Sequence, residues 1–248
     1  MSAPLLHWYR REARDLPWRR TRDPWAILVS EVMLQQTQAA RVVPYYERFL
    51  DRFPDPAACA AAPAAAVLRA WSGLGYNRRA LALHRAAAVV AREGWPDDLA
   101  ELPGVGPYTA AAVAAFAFGA AVLAVDVNVR RVLARTGRAV EAPTPELNQA
   151  LMELGAIVCT KRAPRCGACP LADGCDGPEP HTAPGRPRDR FEDTDRWVRG
   201  RVVAALAAGR NLPDVAPDRL GRALAGLEQD GLIECDRGRL RLPGDPVG

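Results

Sequence analysis

The chain has 248 residues, 49% of them hydrophobic, and a formal net charge of +4; it can bury a sizeable core. No apolar run approaches the ~18 residues of a membrane span, and the arginine-rich start, residues 1–22, leads into no apolar core or cleavage site. These features exclude a membrane-spanning helix and a secretory leader, so a cytoplasmic protein is expected, nucleoid-associated if bacterial. Lys161 is the only lysine among 33 basic residues. Arginine is the better bidentate phosphate ligand, although a GC-rich genome produces the same bias; the charge permits a nucleic-acid partner without demonstrating one.

Taken in order, the elements predict a mostly α fold: from Trp8 to about Cys175, short helices alternate with Gly and Pro, with little period-2 patterning. Asp23-Pro24 starts a helix carried through 25–38. A second runs over 63–72 and stops at Gly73, and a third over 78–92 stops at Gly94. Leu102-Pro103-Gly104-Val105-Gly106-Pro107-Tyr108-Thr109 then sits between a helix expected to end near Glu101 and an alanine-rich helix running to about Phe118. Gly104 and Gly106, flanking Val105, allow a sharp turn, Pro107 suits a first helical turn, and the exposed N–H groups there form a phosphate site. A lone Gly-x-Gly turn is a weak signal, but L-P-G-V-G has the form of the helix-hairpin-helix motif. Asp126 precedes a helix starting near Val127, where backbone N–H groups and Asn128 can hold its carboxylate ionised. Glu31 shares a helix face with Ile27 and Leu34, so burial should raise its pKa.

Four cysteines, Cys159, Cys166, Cys169 and Cys175, form a C-x6-C-x2-C-x5-C array. In a reducing compartment this reads as a soft metal centre, and spacing alone leaves zinc and a [4Fe–4S] cluster equally open. Cys59 and Cys235 lie outside it and read as ordinary buried or half-buried thiols. The loop inside the array carries Lys161, Arg162 and Arg165, either a phosphate clamp or a solvated loop. Residues 177–188 are rich in Pro and Gly, placing a boundary near 178–190. Beyond it come helices over 194–208 and 217–230 and a hairpin over 232–242 turning at Asp236-Arg237-Gly238, a small module that is winged-helix-like. It could add affinity for a partner from a flexible tether or serve as a stabilising cap.

With the hairpin, Asp126 and the cysteine array in this order, the chain resembles the helix-hairpin-helix DNA glycosylase superfamily, in its iron–sulfur branch. Leu16-Pro17-Trp18-Arg19, Ser30-Glu31-Val32-Met33-Leu34-Gln35-Gln36-Thr37, Gly73-Leu74-Gly75-Tyr76 and the stretch from Val125 to Leu133 look like the MutY-type adenine DNA glycosylases. The likeness spans about residues 5–176. It implies a six-helix barrel over 22–130, a cluster domain from 1–21 and 131–178 holding [4Fe–4S] on the four cysteines, a linker over 179–190 and a C-terminal module over 191–248. The implied activity is hydrolysis of the N-glycosidic bond of adenine mispaired with 8-oxoguanine or guanine, in base excision repair, with double-stranded DNA as partner. Glu31 would protonate adenine N7 while Asp126, with Asn128, faces the sugar cation. Tyr108 stands where bifunctional relatives have a Schiff-base lysine, so lyase chemistry is not expected; Tyr108 would assist the acid or the sugar intermediate, or simply pack. Gln36 and Tyr76, with Leu74 beside them, would wedge into the duplex. Arg14, Trp18 and Arg19 would line the adenine pocket, Trp18 being equally readable as core. Gly104, Val105, Gly106, Arg162 and Arg165 would contact the DNA backbone.

Such enzymes commonly carry a C-terminal Nudix-like domain that reads 8-oxoguanine. The residues after 190 have neither its length nor its Phe-Ser-His signature and are expected to be unrelated to it, which leaves opposite-base selectivity, protein partners and oligomeric state open. Two other readings remain: a mismatch thymine or uracil glycosylase, and a non-catalytic iron–sulfur DNA-binding regulator using the C-terminal module.

Overall fold

The computed structural model describes residues 2–177, 190–236 and 238–246. In chain order its elements are α1 (Ser2–Glu12), α2 (Pro24–Leu34), α3 (Ala39–Arg52), α4 (Pro56–Ala61), α5 (Ala64–Trp71), α6 (Arg78–Glu93), α7 (Pro107–Phe118), α8 (Val127–Thr136), α9 (Pro145–Ile157), α10 (Asp195–Ala207) and α11 (Pro217–Gln229), then a hairpin of β1 (Glu234–Asp236) and β2 (Arg239–Arg241). Short polar residues start these helices: Asp55, Asp126, Thr144 and Thr194 each accept N–H hydrogen bonds of the following turn, and Pro56 and Pro145 fill a position whose N–H would have no partner. No helix among the described residues is long and apolar enough to cross a membrane. The chain divides into two compact units.

The first unit comprises the described residues of Met1–Glu31, Asp98–Ala100 and Val105–Gly185. Its core gathers Leu5 and Tyr9 of α1, Val129 and Val132 of α8, and Leu147, Leu151 and Leu154 of α9, with Val158 and Leu171 from the cysteine-bearing loop. The i, i+3, i+4, i+7 spacing of Leu147, Ala150, Leu151 and Leu154 is the apolar stripe that a packed helix presents. The loop that carries the cysteines is therefore anchored by the same core that holds α8 and α9.

The second unit comprises Val32–Asp97, Glu101–Gly104 and the described residues of Arg186–Gly248. Phe49, Phe53 and Trp71 form an aromatic group at its centre, with ring centroids 5.0 Å and 6.1 Å apart. Cys59 is buried here, and burial pushes its thiol up to about 12, as befits an inert core residue. Cys235, expected to be at least half-buried, is instead exposed, because it alternates outward on the short β1 strand. The C-terminal elements form the expected two helices and hairpin, with Val198, Val202, Val203, Leu227, Ile233 and Leu242 buried. The hairpin register pairs Glu234 with Arg241 and Asp236 with Arg239. This module packs on α5 and α6: the N–H of Ala65 donates to the Pro243 carbonyl at 2.8 Å, Arg69 pairs with Asp245 at 2.7 Å, and Asp230 receives both Arg78 and Arg199. The expected linker over 179–190 lies outside the described residues except for Arg190.

Two helices are shorter than the sequence pattern implies. α2 stops at Leu34 rather than running to 38, because Gln36 adopts φ +57 and turns the chain away. Arg79 takes over the freed carbonyls, donating to those of Val32 at 2.8 Å, Met33 at 3.0 Å and Gln35. The helix expected before the hairpin is a single 3-10 turn, Leu99–Glu101, since Gly94 and Pro103 leave too few residues for a longer one.

Candidate active site

α2, the start of α7 and the start of α8 bring three oxygen-bearing side chains of the first unit together. Glu31 is 5% exposed on the apolar α2, and its carboxyl is hydrogen-bonded with the Tyr108 hydroxyl. Burial is the largest influence on this carboxyl; with the nearby Asp126 charge it outweighs the Tyr108 hydrogen bond and pushes the pKa up to about 7. Tyr108 occupies the first turn of α7, 3.9 Å from the Met152 sulfur, and burial chiefly raises its pKa as well, so it stays a neutral donor. Asp126 is the N-cap of α8: one oxygen accepts from Asn128 N at 2.9 Å and Val129 N at 2.7 Å, while Asn128 Nδ2 donates to the other at 2.8 Å. One carboxyl is thus desolvated and the other surrounded by donors, the separation that acid and anion roles require.

Behind Asp126, one cation ties this corner to the cysteine loop. Arg131 donates from Nη2 to Asn128 Oδ1 and to the Gly155 carbonyl, both at 2.7 Å, and from Nε to the Cys159 carbonyl at 2.7 Å. Gly155 has to be glycine, since a Cβ there would lie 2.7 Å from Asn128 Cβ. Sequence inspection passed over Arg131 because an arginine on an exposed-looking helix face carries no signal of its own.

Arg14 and Arg19 converge on Glu153, also missed from sequence. Glu153 is fully buried on α9; burial would raise its carboxyl, but bonds from Arg14 Nε at 2.7 Å, Arg14 Nη2 at 2.8 Å and Arg19 Nη2 at 2.7 Å more than offset this and hold it at about 2. Trp18, beside them, is buried at 8% exposure. A single Glu within the apolar stripe of α9 was the available clue, because buried carboxylates demand cations.

In the second unit, Gln36 is exposed at φ +57 and Tyr76 is 43% exposed at φ +50, whereas Leu74 is 4% exposed and packs inward. Gly73, at φ +105, and Gly104, at φ +78, adopt left-handed backbone that strains any side chain, and a Cβ at Gly104 would lie 2.6 Å from Ala82 Cβ. In the chain beyond it, Gly106 is the extended N-cap residue of α7 and Pro107 its first helical residue.

Cys159, Cys166, Cys169 and Cys175 line one cavity of about 70 Å³, backed by Val132, Leu154 and Val158. Four thiols sharing the lining of one cavity are the donor set of a thiolate-bound metal centre. Arg135 Nη1 donates to Cys159 Sγ at 3.4 Å, a cation suited to a thiolate-bound cluster. Arg162 and Lys161 are exposed on the loop, while Arg165 turns back onto the Ile157 carbonyl at 3.1 Å.

Residues 29–156 match the HhH-GPD superfamily of base excision DNA repair proteins, and residues 159–175 match the iron–sulfur binding domain of endonuclease III. The adenine DNA glycosylase of Mycobacterium tuberculosis (strain ATCC 25618 / H37Rv) is 47% identical over 283 aligned positions, covering 97% of this chain and 93% of its own. That of Mycolicibacterium smegmatis is 44% identical over 280 positions, covering 97% and 95%. Among solved structures, a thermostable thymine-DNA glycosylase superposes with TM-score 0.64 and 30% identity, covering 70% of this chain and 92% of that one. Coverage of 97% takes in the C-terminal module, so the likeness extends beyond the residues 5–176 that carry the recognisable motifs. The match over the cysteines resolves the choice between zinc and iron–sulfur in favour of a [4Fe–4S] cluster. With the buried Glu31 and Asp126 pair, the hairpin and the cluster ligands all within the matched span, the chain belongs to the adenine DNA glycosylases of the HhH-GPD superfamily.

Proposed function

We propose that this protein hydrolyses the N-glycosidic bond of adenine mispaired with guanine or 8-oxoguanine in duplex DNA, with no lyase step. The observation that carries this reading is the buried Glu31 carboxyl, raised to about 7, beside the donor-held Asp126. Glu31 gives its proton to N7 of the flipped adenine, so that the C1′–N9 bond breaks with its electron pair leaving on the base. The Asp126 carboxylate faces the oxocarbenium-like sugar, water adds to C1′, and the proton it sheds passes to a carboxylate of the pair. Tyr108 donates to Glu31 and offers no amine, and the only lysine, Lys161, lies on the cluster loop.

Arg14 and Arg19, fixed by Glu153, border the adenine pocket with Trp18; Gln36 and Tyr76 fill the gap in the duplex, with Leu74 as support beneath. Gly104, Val105 and Gly106, together with Arg162 and Arg165 on the cluster loop, meet phosphates. Bound to its four thiolates, the cluster supplies a rigid covalent scaffold for residues 159–175. In this reading residues 22–130 form a six-helix barrel and residues 1–21 and 131–178 a cluster domain, and the protein acts on DNA in the cytoplasm or nucleoid.

Single-turnover base release from matched duplexes bearing A:G, A:8-oxoG, T:G and U:G tests the proposal. Release of adenine alone is expected. Release of thymine or uracil would assign the fold to mismatch repair of pyrimidines, and tight binding without any release would favour a DNA-binding regulator.

A further inference from the structure

Tyr76 is held at a positive φ on an exposed turn, which a tyrosine adopts only when its surroundings enforce it. Part of that enforcement is local: Arg79 Nη2 donates to the Gly75 carbonyl at 3.1 Å, and its guanidinium lies 5.3 Å from the Tyr76 ring centroid and 5.4 Å from that of Trp71. The C-terminal module holds the side chain. Arg196, in the first turn of α10, donates from Nη1 to the Tyr76 hydroxyl at 2.7 Å, and its guanidinium lies 5.3 Å from that ring. The same guanidinium lies 5.4 Å from the ring of Phe191, which is 52% exposed. Tyr76, Arg196 and Phe191 thus form a continuous aromatic–cation–aromatic stack at the surface. It is pre-set, because the Ala65–Pro243 backbone bond and the ion pairs of Asp230 and Asp245 fix the module within the unit that carries Tyr76.

We propose that the C-terminal module takes part in mispair recognition through Arg196, which positions the Tyr76 wedge and, with Phe191, carries the DNA-contacting surface onto α10. This rests on the reading of Tyr76 as the wedge. The partner is the DNA duplex at the mispair, and the chemistry is that of nucleic-acid surfaces: exposed rings offer stacking to an unstacked base, and the guanidinium between them holds the Tyr76 ring in place for it. A purely structural role accounts poorly for the arrangement. A surface cation–aromatic contact contributes little to folding, and half-exposed Phe191 gains little from burial.

The test compares full-length, cluster-containing protein with Arg196→Ala, Phe191→Ala, Tyr76→Phe, Tyr76→Ala and the Arg196→Ala/Tyr76→Ala pair. Equilibrium affinity is measured for an A:G duplex and its A:T counterpart, with single-turnover release at saturating enzyme and melting temperature as controls. Arg196→Ala is expected to lower the preference for A:G by about tenfold, with the saturated rate and melting temperature near wild type. The double variant should be no worse than Tyr76→Ala alone, because the arginine acts through the ring. Tyr76→Phe, which removes only the hydroxyl acceptor, should reproduce part of the loss without endangering the fold. An Arg196→Ala protein with unchanged preference, or losses that multiply in the double variant, would overturn the proposal while leaving the wedge intact. Unchanged preference in Tyr76→Ala would overturn the wedge reading itself, and this proposal with it.

Discussion

Replacing Glu31 with glutamine separates the chemical role of this side chain from its cost to the fold. Its carboxyl rises from 4.5 to about 7 on folding, burial being the main cause. The folded protein therefore binds more protons than the unfolded chain between those values, and stability falls as pH rises through that window. At 1.36 kcal/mol per unit the full penalty, reached above pH 7, is about 3 kcal/mol, of which about 2 kcal/mol develops between pH 5.5 and 8.5. Glutamine has no such penalty and can still accept from the Tyr108 hydroxyl through Oε1. Any loss from burying its amide is the same at every pH. Thermal unfolding of the two proteins across this range should show the glutamine variant gaining on wild type by roughly 4–8 °C from pH 5.5 to 8.5, while it releases no adenine. A difference between the two that stays constant, or that shifts in favour of wild type with rising pH, would show that Glu31 is not held protonated by its site.

Further expectations follow from the neighbours. Asp126→Asn keeps a good N-cap for α8, so melting should change little, while single-turnover release falls by about 100-fold or more for want of the anion. Arg131→Gln breaks the bridge from Asn128 to the Gly155 and Cys159 carbonyls; iron content should persist while base release slows by about tenfold or more, and an unchanged rate would show that Asn128 needs no such support. Cys166→Ser should lower bound iron per chain and the broad visible absorbance of a thiolate-ligated cluster, with proteolysis appearing first within residues 159–175; full iron content in this variant would remove Cys166 from the ligand set.

Much of this architecture was legible because its local signals are strong. Asp126 before Val127, Gly94 after α6 and the two helices and hairpin of the C-terminal module all follow from caps, stops and turns that act over a few residues. The raised carboxyl of Glu31 could be read from Ile27 and Leu34 on its helix face, since burial of that face implies desolvation. What stayed hidden is tertiary. The end of α2 at Leu34 depends on Arg79, which lies far along the chain, and no pattern within 25–38 announces it. Glu153 makes sense only once Arg14 and Arg19 arrive from another segment, and Arg131 only once Cys159 and Gly155 are packed behind Asn128. The docking of the C-terminal module rests on Asp230, Asp245 and a backbone bond to Ala65, contacts that its composition, read as a tethered appendage, could not disclose.

In the reading proposed above, a protonated Glu31 drives base release beside the donor-held Asp126. The most direct test is the pH dependence of single-turnover adenine release from an A:G duplex at saturating enzyme. An acid raised to about 7 predicts a rate that is flat below neutrality and falls by about tenfold per pH unit above it. A rate that rises through pH 7 would mean that Glu31 acts as a base, and the account would be wrong at its centre.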